Sequence, residues 1–196
     1  MTAPEFIVAS VHTHRDPLIE LNVEYMAWVF REIDQLFGGR IEDVIGMPVS
    51  DYVPSVIDKT CGKPPPDGVF YLINIDGRLA GMGGLRGLNA RQAEVKRIYI
   101  RPAFRGMNLG ESVLARLLSD ARAFGYERVC LDTAPFMKSA HRIYENNGFV
   151  DRPAYEGVEV PPEFHARWRF MERELRDGIA GLCPRHAGHG LAGTHD

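Results

Sequence analysis

The stretch from Glu94 to Thr133 constrains this chain more than any other. It reads as a β-type run ending in Ile98, Tyr99 and Ile100, a loop "RPAFRGMNLG", an amphipathic helix, and a short apolar run "ERVCLDT". Leu109, Val113, Leu114, Leu117, Leu118 and Ala121 recur at helical spacing as one apolar stripe, and Gly125 stands where a C-terminal cap belongs. Val129, Cys130 and Leu131 in succession suit a short buried strand. Strand, glycine loop, helix and strand in that order predict two parallel neighbours joined by a right-handed crossover.

The loop has a chemical implication of its own. The first turn of a helix carries backbone N–H groups without intrahelical partners and a partial positive charge, so small residues leading into it make an anion cradle. In "RGMNLG", Gly106 and Gly110 remove side chains that would block approach, and Asn108 is the residue type after glycine best able to adopt a left-handed turn. The alternative is a turn whose glycines serve packing alone. The spacing fits neither the G-x-G-x-x-G dinucleotide loop nor the G-x-x-x-x-G-K-[ST] triphosphate loop.

Around this segment the chain alternates elements. "EFIVASV" reads as a first strand, followed by a long helix in which Asp16 is the expected cap, Pro17 lies in the first turn and Gly38 ends the run. From Arg40 to Gly68 the pattern weakens into a covering segment, with a short helix possible in "SDYVPSVIDKT". Asp76-Gly77 between two apolar runs predicts a hairpin. A short helix "SAHRIYENN" stops at Gly148, and "RWRFMEREL" reads as a last strand.

A chain of 196 residues, 45% hydrophobic, predicts one domain over 1–177, with the glycine- and histidine-rich segment 178–196 as a flexible tail. A formal charge of −3 and the absence of a long apolar run argue against nucleic acid and membrane as partners. Three dispersed cysteines fit a reducing, cytoplasmic setting better than a disulfide framework. A monomer or a homodimer is compatible with this composition.

The segment "KRIYIRPAFRGMNLGESVLARLLSDARAFGYERVCLDTAPFMKSAHRIYENNGF" resembles the core of the GNAT superfamily, the Gcn5-related N-acetyltransferases. Arg105 to Gly110 match its [RQ]-x-x-G-x-[GA] signature with Asn108 in place of the inner glycine. Ala140, Ile143, Tyr144, Glu145, Gly148 and Phe149 match a second signature, A-x-x-[LI]-Y-E-x-x-G-F. The resemblance implies an α/β (α+β) fold: a mixed, mostly antiparallel sheet of six to seven strands flanked by helices, with a splayed central parallel pair.

It also implies an acetyl-coenzyme A cosubstrate. The backbone amides of Arg105, Gly106, Met107, Asn108, Leu109 and Gly110 would hold its pyrophosphate, and the backbone of Ile98 and Ile100 would pair with the pantetheine arm. The implied activity is acetyl transfer to a primary amine of a small molecule or peptide, directly in a ternary complex; a non-catalytic acyl-coenzyme A binding module is the alternative. Glu94 occupies the position of a family base, its other reading being a carboxylate paired with Lys96 or Arg97. Tyr144 matches a tyrosine placed to protonate the departing thiolate, its other reading being core packing beside Ala140 and Ile143.

Further residues carry weaker expectations. Arg101 and Arg105 are candidate phosphate partners or solvated cations. Met137 stands where many relatives have an asparagine, so that contact to the pantetheine is expected to be missing. The acceptor side is expected from the first helix, the segment 40–68 and the loop 153–164, where Asp34, Glu42, Asp43, Asp51, Glu156, Glu159 and Glu163 would make it acidic. No metal site is expected, and Cys130 reads as a small buried hydrophobe.

Overall fold

The computed structural model describes residues 3–38 and 40–175; the segment 178–196, expected as a tail, lies outside them. Seven strands form one sheet in the order β1-β2-β3-β4-β5-β7-β6. These are β1 (Glu5–Val8), β2 (Gly68–Ile75), β3 (Arg78–Gly87), β4 (Gln92–Ile100), β5 (Arg128–Thr133), β6 (Val150–Arg152) and β7 (Arg169–Glu174). Every neighbouring pair is antiparallel except β4 and β5. Among the described residues five α-helices complete the fold: α1 (Arg15–Phe37), α2 (Ile41–Ile45), α3 (Val49–Cys61), α4 (Leu109–Ala123) and α5 (Lys138–Asn146).

Both faces of the sheet are covered, which is why β2 reads "VFYLINI" without polar alternation. Val69, Tyr71 and Ile73 face the buried stripe of α4, in which Val113, Leu114 and Leu117 are fully enclosed. Phe70 and Leu72 face Leu18 and Leu21 of α1 and Val53 and Ile57 of α3. Each such side chain contributes about 1.5–3 kcal/mol when removed from water.

The hairpin between β2 and β3 turns at Asp76 (φ 50°) and Gly77 (φ 73°), the double left-handed turn that matches strand twist. Two details differ from expectation. Asp16 lies inside the first turn of α1 rather than capping it. The preceding His14 is the cap position, and its Nδ1 accepts the Ser10 N–H at 3.1 Å. The segment after Gly38 contains α2 as well as α3, a helix of five residues too short for a periodicity to register.

Two features of β4 shape the site. First, its parallel pairing with β5 spans only Gln92↔Arg128 to Glu94↔Cys130, although β4 continues to Ile100 and β5 to Thr133. Beyond Glu94 the strands diverge. Second, β4 bulges opposite β3: Met82 faces Tyr99, yet Gly84 faces Lys96, so Arg97 and Ile98 share the place opposite Gly83. Arg97 takes φ 53° there, a conformation that costs an ordinary L residue about 1–2 kcal/mol. The bulge reverses the alternation of the strand. Val95, Ile98 and Ile100 pack toward α4, and Tyr99 packs toward α1.

Candidate active site

The divergence of β4 and β5 opens a cleft of about 550 Å3, closed on one side by the start of α4 and on the other by α5. Ile98 and Ile100 of β4 line it, as do Arg105, Gly106, Asn108, Leu109 and Gly110. Met107 does not; its side chain packs on the apolar core. Asn108 adopts φ 57° and ψ 19°, the left-handed conformation expected of it, and Gly106 has φ 79°. The Ser112 N–H reaches Asn108 O at 3.1 Å as the first helical bond, which leaves the amides of Leu109, Gly110 and Glu111 without intrahelical partners at the cleft. A Cβ on Gly110 would stand 3.3 Å from Ile143 Cδ1 of α5, so a large side chain there has nowhere to go but the cleft.

The two arginines beside the loop are differently engaged. Arg105 donates from Nε to Ile100 O at 3.2 Å. Arg101 is tied to α1 through Glu24 (2.6 Å) and Glu20 and donates to Leu79 O at 3.1 Å, so it braces α1 against the end of β4. Met137 and Ser139 line the cleft, and Thr133 is buried with its hydroxyl toward Met137 Sδ at 3.6 Å.

Tyr144 projects from α5 into the inner end of the cleft and is 8% exposed. Burial first, then the neighbouring Tyr25 and Asp132, push its phenol well above the ordinary range, so it is protonated at neutral pH. Glu94 is not among the cleft-lining residues. It is 1% exposed on the other side of the bulge, where Oε2 accepts from Arg86 Nη2 at 2.6 Å, Oε1 accepts from Tyr155 OH at 2.7 Å, and Lys96 Nζ lies 3.7 Å away. Both carboxylate oxygens are thus engaged, close to the ion-paired reading of this residue, with Arg86 as the nearer partner.

A second cavity, of about 250 Å3, adjoins the inner end of the cleft. Met26, Val29, Phe30 and Ile33 of α1 wall it on one side, Ile41 and Ile45 of α2 and Tyr52 of α3 on another, and Phe164 and Trp168 close it. These are the segments expected to build the acceptor side, but the expected acidity is not there. Glu159 lines the cavity; Glu42 instead accepts the Val49 N–H at 3.0 Å and pairs with Arg40, and Asp34 accepts the Ile41 N–H at 2.7 Å. Burial opposes ionisation of Glu159, but Lys96 at 2.7 Å and Arg86 at 2.8 Å hold its carboxyl down at about 2.

Tyr25, Val95, Arg97 and Asp132 line both spaces and mark their junction. Asp132 sits near the end of β5, its Oδ1 accepting the Trp168 indole N–H at 2.9 Å. Burial, with the Glu94 carboxylate adding to it, raises its pKa from 3.8 to about 6. Sequence reasoning passed over Asp132, although a carboxylate closing an apolar strand "VCLD" at the divergent end was a usable signal. Arg97 had no such signal, because its aim depends on the bulge. Both cysteines among the described residues are buried, and burial pushes Cys61 up to about 12 and Cys130 above its ordinary value.

Comparison with known proteins agrees with this fold. An uncharacterized N-acetyltransferase, YjgM, of Escherichia coli strain K12 is 30% identical over 87 residues, 43% of this chain and 52% of that protein. An IAA acetyltransferase of Azospirillum brasilense is 31% identical over 111 residues, 56% of this chain and 70% of that one. The chain therefore spans about half the length of the first relative and more of the second. The PaiA N-acetyltransferase of Thermoplasma acidophilum, solved in complex with coenzyme A, superposes with a TM-score of 0.61 at 17% identity, covering 88% of this chain and 99% of that one, which speaks to the fold. A profile described as the acetyltransferase (GNAT) family matches residues 30–149, more than half of the chain, including β4, β5 and the loop and helix between them, and the chain belongs to that family.

Proposed function

We propose that the protein transfers the acetyl group of acetyl-coenzyme A to a primary amine, directly in a ternary complex. The observation that carries this reading is the meeting of two spaces at Asp132: a cleft that ends on free helix amides, and an apolar cavity large enough for a small acceptor. The amides of residues 106–110 and the positive end of α4 suit a pyrophosphate, whereas the Arg105 N–H, also expected there, is already donated to Pro102 O at 3.2 Å. The backbone of Ile98 and Ile100, freed from β5 by the divergence, suits the amides of a pantetheine arm, and the cosubstrate supplies the activated thioester.

Asp132 accepts the proton of the attacking amine as the nitrogen–carbon bond forms at the thioester carbonyl. Tyr144 gives its phenolic proton to the sulfur as the carbon–sulfur bond breaks. The proton on Asp132 then restores Tyr144, and the proton that made the acceptor an ammonium leaves to solvent. A base whose pKa lies near 6 is ionised at neutral pH yet still basic enough to assist. Glu94 sits behind this centre with both of its oxygens committed to Arg86 and Tyr155, and it adds to the burial that raises the Asp132 pKa. Among the described residues both thiols are buried with raised pKa and are poor nucleophiles, which supports direct transfer over an acetyl-enzyme. The odd, dispersed cysteines likewise favour a cytoplasmic setting.

Calorimetric titration with acetyl-coenzyme A and with coenzyme A tests the reading. Saturable binding is expected for the parent and none for Gly110→Trp, whose indole would fill the cradle. Absence of binding by the folded parent overturns the proposal.

A further inference from the structure

The junction of the two spaces also indicates which amines fit. The cavity walls from α1, α2 and Phe164 are largely apolar, and the charged lining residues are Lys96, Arg97, Asp132 and Glu159, of which Arg97 and Asp132 also line the cleft. The other two are ion-paired. Arg86 bridges Glu94 and Glu159 at 2.6 and 2.8 Å, Lys96 pairs with Glu159 at 2.7 Å, and Lys59 of α3 reaches Glu159 at 3.6 Å, so both carboxylates are already met by cations. Arg97 and Asp132 remain outside those pairs.

Arg97 is the more telling of the two. Its Nη1 donates to Asn22 Oδ1 at 3.1 Å and its guanidinium lies 5.8 Å from the centre of the Tyr25 ring, but it pairs with no carboxylate among the described residues. A planar guanidinium that is half-buried at the mouth of an apolar cavity, with no carboxylate in ion-pair contact, is suited to receive a carboxylate. The backbone supports the same conclusion. The chain holds this arginine in a left-handed conformation that most residues avoid, and strain of that kind persists where a side chain must be aimed.

We infer that the acceptor is an α-amino acid with an apolar side chain, its carboxylate held by Arg97, its amine presented to Asp132 and its side chain lodged between α1, α2 and Phe164. This rests on the acetyl-transfer reading above. Each charge of the zwitterion then meets an opposite charge, and the side chain meets the apolar walls of α1, α2 and Phe164. A polar side chain would leave hydrogen-bonding groups unpaired against Val29, Phe30 and Ile33.

The test follows thiol release from acetyl-coenzyme A, with mass spectrometry of the product. The probes are L-phenylalanine, L-leucine, phenethylamine, L-phenylalanine amide and L-aspartate. The parent is expected to favour L-phenylalanine or L-leucine over phenethylamine, the amide and L-aspartate by about tenfold or more in kcat/KM, about 1.4 kcal/mol. In Arg97→Asn, which suits the left-handed backbone, the ratio of kcat/KM for L-phenylalanine over phenethylamine should collapse toward one, and Arg97→Lys should keep part of it. Binding of acetyl-coenzyme A by each variant reports that it is folded. Equal or better use of phenethylamine, an unchanged ratio in Arg97→Asn, or turnover of none of the amino acids by protein that binds acetyl-coenzyme A overturns the inference and leaves the cosubstrate site standing. Failure to bind acetyl-coenzyme A overturns both.

Discussion

Replacing Asp132 by asparagine separates what its carboxylate costs from what it does. Asp132 Oδ1 accepts the Trp168 indole N–H at 2.9 Å, and an asparagine oxygen accepts the same bond, so the substitution removes a charge and little else. Burial and then Glu94 lift the Asp132 pKa from 3.8 to about 6. That difference, about 2 on the pH scale, corresponds to about 3 kcal/mol. The figure is an upper bound, since water in the open cleft screens it. A carboxyl whose pKa rises on folding binds more protons in the folded than in the unfolded state between pH 3.8 and about 6. Stability therefore falls as pH rises through that window, and the whole cost is present above it.

Asp132→Asn is expected to be more stable than the parent at pH 7.5 by up to about 3 kcal/mol. For a chain of this size that raises Tm by roughly 6–12 °C. The advantage should vanish below the unfolded-state pKa, near pH 3.5. The same variant should lose acetyl transfer by roughly 100-fold or more, the usual contribution of a positioned base. Thermal unfolding by circular dichroism at both pH values, with thiol release at pH 7.5, measures the two effects on one sample. A Tm at pH 7.5 no higher than the parent's, or an advantage that persists undiminished at pH 3.5, refutes the burial argument. Full activity in the folded variant refutes the assignment of Asp132 as base.

Glu94→Gln removes the anion that repels the ionised form of Asp132, so the acidic limb of the kcat/KM profile, expected near pH 6 in the parent, should move to lower pH. It also takes the ion pair from Arg86, and a denaturant titration should register a loss of roughly 2 kcal/mol. Disappearance of turnover together with that limb, in folded protein, would return the base role to Glu94. Tyr144→Phe should lower kcat by about tenfold or more while calorimetric affinity for acetyl-coenzyme A stays within about threefold, because only a proton donor is lost. An unchanged kcat would remove Tyr144 from the mechanism. Since burial raises the Tyr144 pKa above 10, no alkaline limb from this phenol should appear in the parent below that pH.

Much of this architecture was legible because local rules and burial agreed. The stripe of α4 is an apolar face at helical spacing, and every member of it is buried. Asp76-Gly77 specifies its own turn, and Asn108 after Gly106 announces a left-handed entry to a helix. The cradle could be read for the same reason: free amides at a helix start follow from local geometry, whatever packs around them. The segments least bound by pattern do wall the second cavity. Its chemistry was not legible, since Glu42 and Asp34 look like site acids in one dimension and act as backbone partners in three.

The sequence by itself determined the strand, loop, helix and strand of the cleft, the buried stripe that orients α4, and the position of Tyr144 on α5, because each depends on spacing along a single element. Only the tertiary structure decided which charged side chains meet. One extra residue in β4 reverses the alternation of that strand, turns Arg97 toward the junction, and leaves Glu94 enclosed by Arg86 and Tyr155. Asp132 becomes the carboxylate between the two spaces because β5 and β4 part company after Cys130 and Glu94. The energy of a charge depends on what surrounds it, and in this site those surroundings come from α1, β3, β5 and the loop before β7, which no local pattern brings together.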